Sequence, residues 1–209
     1  MLYYSQREPC RPGTLHPTRK GGRKQMGYRL SYPEADELFR KLSAEYEIYA
    51  PKLFEKQGRY SDTDIVRYDR VKRAEEIVWD RKSDFSAKEV VSPITQTIFY
   101  FTEDEYRESR TGAKKLLIFL RPCDINAFEH QDKIYLENGG IADVFYQRVR
   151  DRVRFVLMEC TEGWDTCFCV SMGANRTNDY SAAVRRDENG LLFSVPDPEL
   201  APHFAGNRE

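Results

Sequence analysis

The chain has 209 residues, 40% of them hydrophobic, with 33 Lys and Arg against 34 Asp and Glu. That length supports one main domain with a substantial core, while no apolar run approaches the ~20 residues that cross a bilayer and the N-terminus lacks the apolar stretch of a secretory signal. A soluble, cytoplasmic protein without membrane contact is expected, and in that compartment clustered cysteines act as ligands or redox groups in preference to structural disulfides.

The formal net charge of −1 hides an asymmetry. Residues 1–25 contain Arg7, Arg11, Arg19, Lys20, Arg23 and Lys24 against Glu8, so removing them from the 33 basic and 34 acidic residues leaves 27 against 33, a charge of −6 on the rest. This opening stretch is rich in Pro, Gly and Arg and shows neither helical nor strand periodicity. It is expected to be a disordered basic extension, or a leader upstream of a start at Met26. The acidic remainder offers no basic face, so a nucleic-acid partner is not expected. Cys10 and His16 fall in this stretch and are given no role.

From Met26 onward the pattern is that of a folded domain. Ser31 is placed as an N-cap, with Pro33 in the first turn and Glu34 three residues after the cap. Leu38, Leu42 and Tyr46 follow at helical spacing, which predicts about three turns of helix. Residues 48–71 are punctuated by Gly and Asp and predict short strands and turns. Asp62 and Asp64 serve there as a turn cap and a partner for Arg67, ahead of any acid–base role. "EEIVWD" (75–80) and "TQTIFYF" (95–101) have strand composition, and "TEDEYRES" (102–109) reads as an exposed polar helix or loop.

"KKLLIFLR" (114–121) and "VRFVLMEC" (153–160) are continuous apolar runs of the kind found in strands covered on both faces. Between them "DINAFEHQDKIYLENGG" (124–140) predicts a partly exposed helix with Asp124 as N-cap and His130 facing solvent. The unit is β-α-β, so its strands are parallel and their carboxyl ends share one sheet edge, where ligands bind in open α/β folds. Asn189-Gly190 between two β-prone runs signals a C-terminal hairpin. The predicted fold class is therefore α/β, with mixed α+β possible: a mixed sheet with at least one β-α-β unit and a C-terminal β-hairpin.

Three of the five cysteines lie close together as C-x6-C-x-C: Cys160, Cys167 and Cys169. Cys123, just past the first parallel strand, is brought near Cys160 at the end of the second. Four thiolates match the needs of tetrahedral zinc or an iron–sulfur cluster. The spacing fits neither the usual zinc knuckle nor the C-x2-C-x2-C-x3-C ferredoxin run, and core packing or reversible thiol chemistry remains an alternative at this level. A position just before a helix N-terminus is expected to lower the Cys123 pKa. The Gly163 and Trp164 amides and the Thr161 and Ser171 hydroxyls are candidate donors to sulfur. Trp164 is either a shield or a docking residue, and Arg121 is assigned to Asp124 or the acidic body ahead of a role at the cysteines. Neither "RPCD" nor "CTEG" forms the Gly-rich loop that a nucleotide site needs.

"SDTDIVRY" (61–68), "PITQTIFYFTEDEYRES" (93–109), "FLRPCDINAF" (119–128) and "FVLMECTEGWDTCFCVSMG" (155–173) resemble the A subunit of anaerobic sulfite reductase. They are similar, more distantly, to the beta subunits of sulfhydrogenases. The resemblance runs from about Met26 to the end. It implies an electron-transfer subunit between a flavoprotein that oxidises a nicotinamide and a sirohaem subunit that reduces sulfite, with no sulfite site of its own. A [4Fe-4S] cluster on Cys123, Cys160, Cys167 and Cys169 is expected from motif match and placement together, with zinc, in a structural scaffold of a related hydrogenase or oxidoreductase complex, as the alternative. Members of that family continue into a ferredoxin-like module with two C-x2-C-x2-C-x3-C-P runs, which has no counterpart here, so residues 26–209 are expected to correspond to the N-terminal α/β domain.

Overall fold

The computed structural model of the chain describes residues 27–109, 112–160 and 163–205. The expectations for residues 1–25 and Thr161 lie outside these. The frame is a seven-stranded mixed sheet formed by β1 (Gly27–Leu30), β2 (Tyr46–Phe54), β3 (Ile65–Arg70), β6 (Lys115–Leu120), β7 (Val153–Met158), β8 (Ala182–Asp187) and β9 (Gly190–Ser194). Their order across the sheet is β1-β9-β8-β7-β6-β2-β3. The inner strands β2, β6, β7 and β8 are parallel, and antiparallel neighbours close both edges. The α/β class, the β-α-β unit and the C-terminal hairpin are all present.

Alternation along each inner strand divides the core into two layers, because successive side chains point to opposite faces. Leu117 and Phe119 of β6, with Val156 and Met158 of β7, join the layer under α1 (Tyr32–Leu42), which contributes Ala35, Leu38, Phe39 and Leu42. Leu116, Ile118 and Leu120, with Val153, Phe155 and Leu157, join the opposite layer under α3 (Pro122–Asp132) and α4 (Val144–Arg150). The continuous apolar runs of β6 and β7 are thus the signature of strands covered on both faces.

Helix α1 starts where its sequence directs. The Glu34 carboxylate accepts from the Ser31 backbone N–H at 2.8 Å and from its hydroxyl at 2.7 Å, and Pro33 fits a first turn whose amides need no intrahelical partner. The helix ends at Leu42, so Tyr46 opens β2 instead of continuing the stripe. Of the two runs with strand composition, residues 75–80 contribute only an isolated bridge between Ile77 and Lys52. The Glu76 carboxylate winds the chain into a tight turn by accepting from Lys72 and Arg73 N–H at 3.0 and 2.9 Å. The second run forms β4 (Phe99–Phe101), and the expected polar helix or loop beyond it is instead β5 (Tyr106–Glu108). The two pair as an exposed hairpin around a Thr102–Glu105 turn. Asp64 does cap a turn, by accepting from Lys56 N–H at 2.8 Å, but Arg67 pairs with Glu89 instead.

The crossover from β6 to β7 has more structure than the single helix expected. After α3 the chain widens into a π-type turn over Lys133–Glu137, reverses at Gly139 and Gly140 with positive φ, and starts α4 at Asp143, whose carboxylate accepts from Tyr146 N–H at 2.8 Å. Asp132 locks the two helices together: it accepts from the Tyr146 hydroxyl at 2.5 Å and from Arg150 Nε at 3.0 Å. Burial, then this carboxylate, push the Tyr146 phenol well up. Replacing Asp132 with Ala strands both donors, and urea titration is expected to show a loss of about 2–3 kcal/mol.

The C-terminal hairpin turns through Glu188 and Asn189, with Gly190 already paired to Asp187, one residue earlier than the Asn-Gly signal suggested. At φ +146° a Cβ on Gly190 would meet the Leu30 carbonyl oxygen at 2.2 Å. Both the backbone angle and the close approach of β1 therefore require glycine here. Gly190→Ala is expected to cost about 1–3 kcal/mol of stability, read from the urea midpoint.

Candidate metal centre

The parallel register fixes the site. Leu120 at the end of β6 pairs with Leu157 of β7, so the residues that follow both strands emerge side by side at the carboxyl edge. From β6 the chain passes directly into α3. Arg121 is extended (φ −78°, ψ 158°) as the N-cap, and Pro122 presets the first helical residue. The cap is thus Arg121, and Asp124 lies a turn inside, where its N–H bonds to the Arg121 carbonyl at 3.0 Å. Cys123 falls within the first turn of the helix.

Among its described residues the β7–β8 crossover, residues 159–181, contains no helix. A parallel connection is normally made by one, and a long irregular crossover marks a segment kept for its side chains. Local backbone bonds fold it into turns: Cys167 N–H to Trp164 O at 2.8 Å and Ala174 N–H to Cys169 O at 2.8 Å. Asn126 of α3 ties these turns to the helix, donating its side-chain amide to the carbonyls of Ala174 at 3.1 Å and Arg176 at 2.9 Å. One side chain therefore couples the helix bearing Cys123 to the turns bearing Cys167 and Cys169. Nothing in the sequence singled it out.

Cys123, Cys160, Cys167 and Cys169 all line one cavity of about 550 Å³. All are free thiols and partly buried. Among the described residues no three His, Cys, Asp or Glu side chains converge on a point that would hold a single ion. The thiols are spread around the walls instead. In number and chemistry four thiols match a thiolate-bound zinc or iron–sulfur group alike. The walls are otherwise largely apolar, with Phe85, Ala127, Trp164 and Phe168 among them, and the exposed His130 and Lys82 lie at the same cavity.

Electrostatics at the site differ from the expectation for a helix N-terminus. Burial, followed by Asp124 and then the other three cysteines, pushes the Cys123 thiol up to about 12. Desolvation overrides the helix dipole because the thiol is enclosed among other acids. Burial also raises Cys160, against a downward pull from Arg121. Asp124 is raised by burial too, with Arg121, Lys82 and Lys88 opposing. A metal group binding here must therefore displace thiol protons as it binds.

Arg121 does not take the partner expected of it. Its guanidinium donates to Cys160 Sγ at 3.4 Å and to the Trp79 carbonyl at 2.8 Å, and the Trp164 ring covers its face at 4.3 Å. Trp164 thus packs inward over the cation. Among the described residues this guanidinium, not the Gly163 or Trp164 amides or the Ser171 hydroxyl, supplies the hydrogen bond that reaches a cysteine sulfur. Tyr68 lines the same cavity, and burial, then Asp124, hold its phenol well above the ordinary range.

Comparison with profiles of known protein families, with curated proteins and with solved structures finds no match. Among the described residues no helix is long and apolar enough to cross a membrane.

In the metal-free chain Cys123 is expected to be the slowest of these four thiols to alkylate. At pH 8 its thiolate fraction is roughly a thousandfold below that of an unperturbed cysteine, and its rate should still climb about tenfold per pH unit up to pH 10. Peptide mapping after timed iodoacetamide treatment measures both. A Cys123 rate that levels off below pH 9 would contradict the burial described.

Proposed function

We propose that this chain is an iron–sulfur electron-transfer subunit of an anaerobic, NADH-linked sulfite reductase complex. It passes electrons from a flavoprotein subunit toward a sirohaem subunit and catalyses no reaction itself. The observation behind the proposal is that cysteines from two distant stretches, Cys123 and the trio Cys160, Cys167 and Cys169, line a single cavity at the carboxyl edge of the sheet. The resemblance carried by "FLRPCDINAF" and "FVLMECTEGWDTCFCVSMG" supplies the reaction and the partners.

Cys123, Cys160, Cys167 and Cys169 would hold one [4Fe-4S] cluster, which supplies a one-electron carrier whose potential follows charge, burial and hydrogen bonds to sulfur. The chain's own residues do the rest. The thiols give up their protons as they ligate, Asn126 keeps the two halves of the ligand set together, and Trp164 with the apolar walls limits water. Phe168, Val170 and Met172, exposed by 70%, 50% and 70%, form an apolar rim on the cysteine-bearing turns beside the cluster.

The test is iron, zinc and acid-labile sulfide content, with a visible spectrum, on the full chain purified without oxygen. About four irons and four sulfides are expected, with broad absorbance that bleaches on reduction. Replacing any one of Cys123, Cys160, Cys167 or Cys169 by Ser should lower iron content and leave secondary structure intact by circular dichroism. Stoichiometric zinc without iron would replace this function with that of a zinc-stapled scaffold, and a metal-free chain would remove both.

A further inference from the structure

Arg121 is only 7% exposed and borders the cavity that the cysteines line. A guanidinium stays charged at every accessible pH, and enclosing it without a carboxylate is costly unless another anion faces it. Asp124 lies close enough for its carboxylate and the guanidinium to act on each other but forms no ion pair with it, and the Trp79 carbonyl and the Trp164 ring are neutral groups. The guanidinium is aimed at sulfur, its Nη1–H group pointing at Cys160 Sγ.

We infer that Arg121 is a positioning residue whose positive charge compensates the negative charge of the thiolate-bound group, and so raises its reduction potential. The inference rests on the cluster proposed above. Its basis is Coulombic: reduction adds an electron, and a fixed cation held within hydrogen-bonding distance of a ligating sulfur favours the more negative state. Burial keeps that charge from being screened. Trp164 contributes by covering the guanidinium, which excludes water from the cation without neutralising it. Lys82 also borders the cavity but is exposed, so solvent screens its charge.

The experiment is a redox titration, followed in the visible spectrum, of the full chain purified without oxygen, as wild type and as Arg121→Gln, Arg121→Lys and Lys82→Gln. Arg121→Gln is expected to shift the midpoint potential to more negative values, Arg121→Lys to restore most of the shift, and Lys82→Gln to leave it near wild type. An Arg121→Gln potential equal to wild type, at wild-type iron content, overturns the inference and leaves the cluster assignment standing. Should Arg121→Gln hold no iron, Arg121→Lys decides: recovery of iron supports a requirement for charge, and no recovery overturns it. Wild-type chain without iron overturns both proposals.

Discussion

The parallel pairing of β6 with β7 is the constraint from which the site follows. Hydrogen bonding in register along five residue pairs, from Leu116↔Val153 to Leu120↔Leu157, leaves no freedom in where the two strands end. Whatever follows them must meet at the same edge of the sheet. Here Arg121 and Cys123 follow one strand and Cys160 the other. The two core layers hold this pairing from both faces, so the position of the thiols is set by the packing of Phe119, Val156 and Met158 as much as by their own loops.

Opposed electrostatic demands meet at that edge. Burial favours neutral thiols and penalises a lone guanidinium, yet the chain encloses both in the same place. Anionic sulfurs would ease both demands, beside the Asp124 carboxylate that shares this edge. A site of this kind is poorly satisfied while its thiols keep their protons.

Much of the fold was legible in the sequence because it was written in local patterns. The Ser31–Glu34 box announced α1, the apolar runs announced β6 and β7, and strand polarity then placed Cys123 near Cys160. Less legible features depended on long-range partners. Residues 75–80 have strand composition, but the Glu76 carboxylate reaches back to the amides of Lys72 and Arg73 and winds the chain into a turn, so the run keeps an isolated bridge. Helix α4 is short and held by Asp132, a residue distant from it in sequence. The α3 cap moved from Asp124 to Arg121 because the chain enters the helix directly from the strand, with Pro122 setting its first residue. Arg121 itself was assigned to an acid by charge alone, whereas its direction comes from the strand end on which it sits. Asn126 carries no sequence signal, since its importance lies in two carbonyls far along the chain.

The long crossover between β7 and β8 also sets a schedule. Its turns carry Cys167 and Cys169, and its far end is fixed only when Ala182, Ala183 and Val184 pair in parallel with β7. Non-local parallel pairing is among the slower steps of folding, and of the strands of the sheet only β9 leaves the ribosome after β8. The four thiols therefore share an interval in which the first part of the sheet exists but their common enclosure does not. During that interval they are open to oxidation, before the enclosure that shields them has formed.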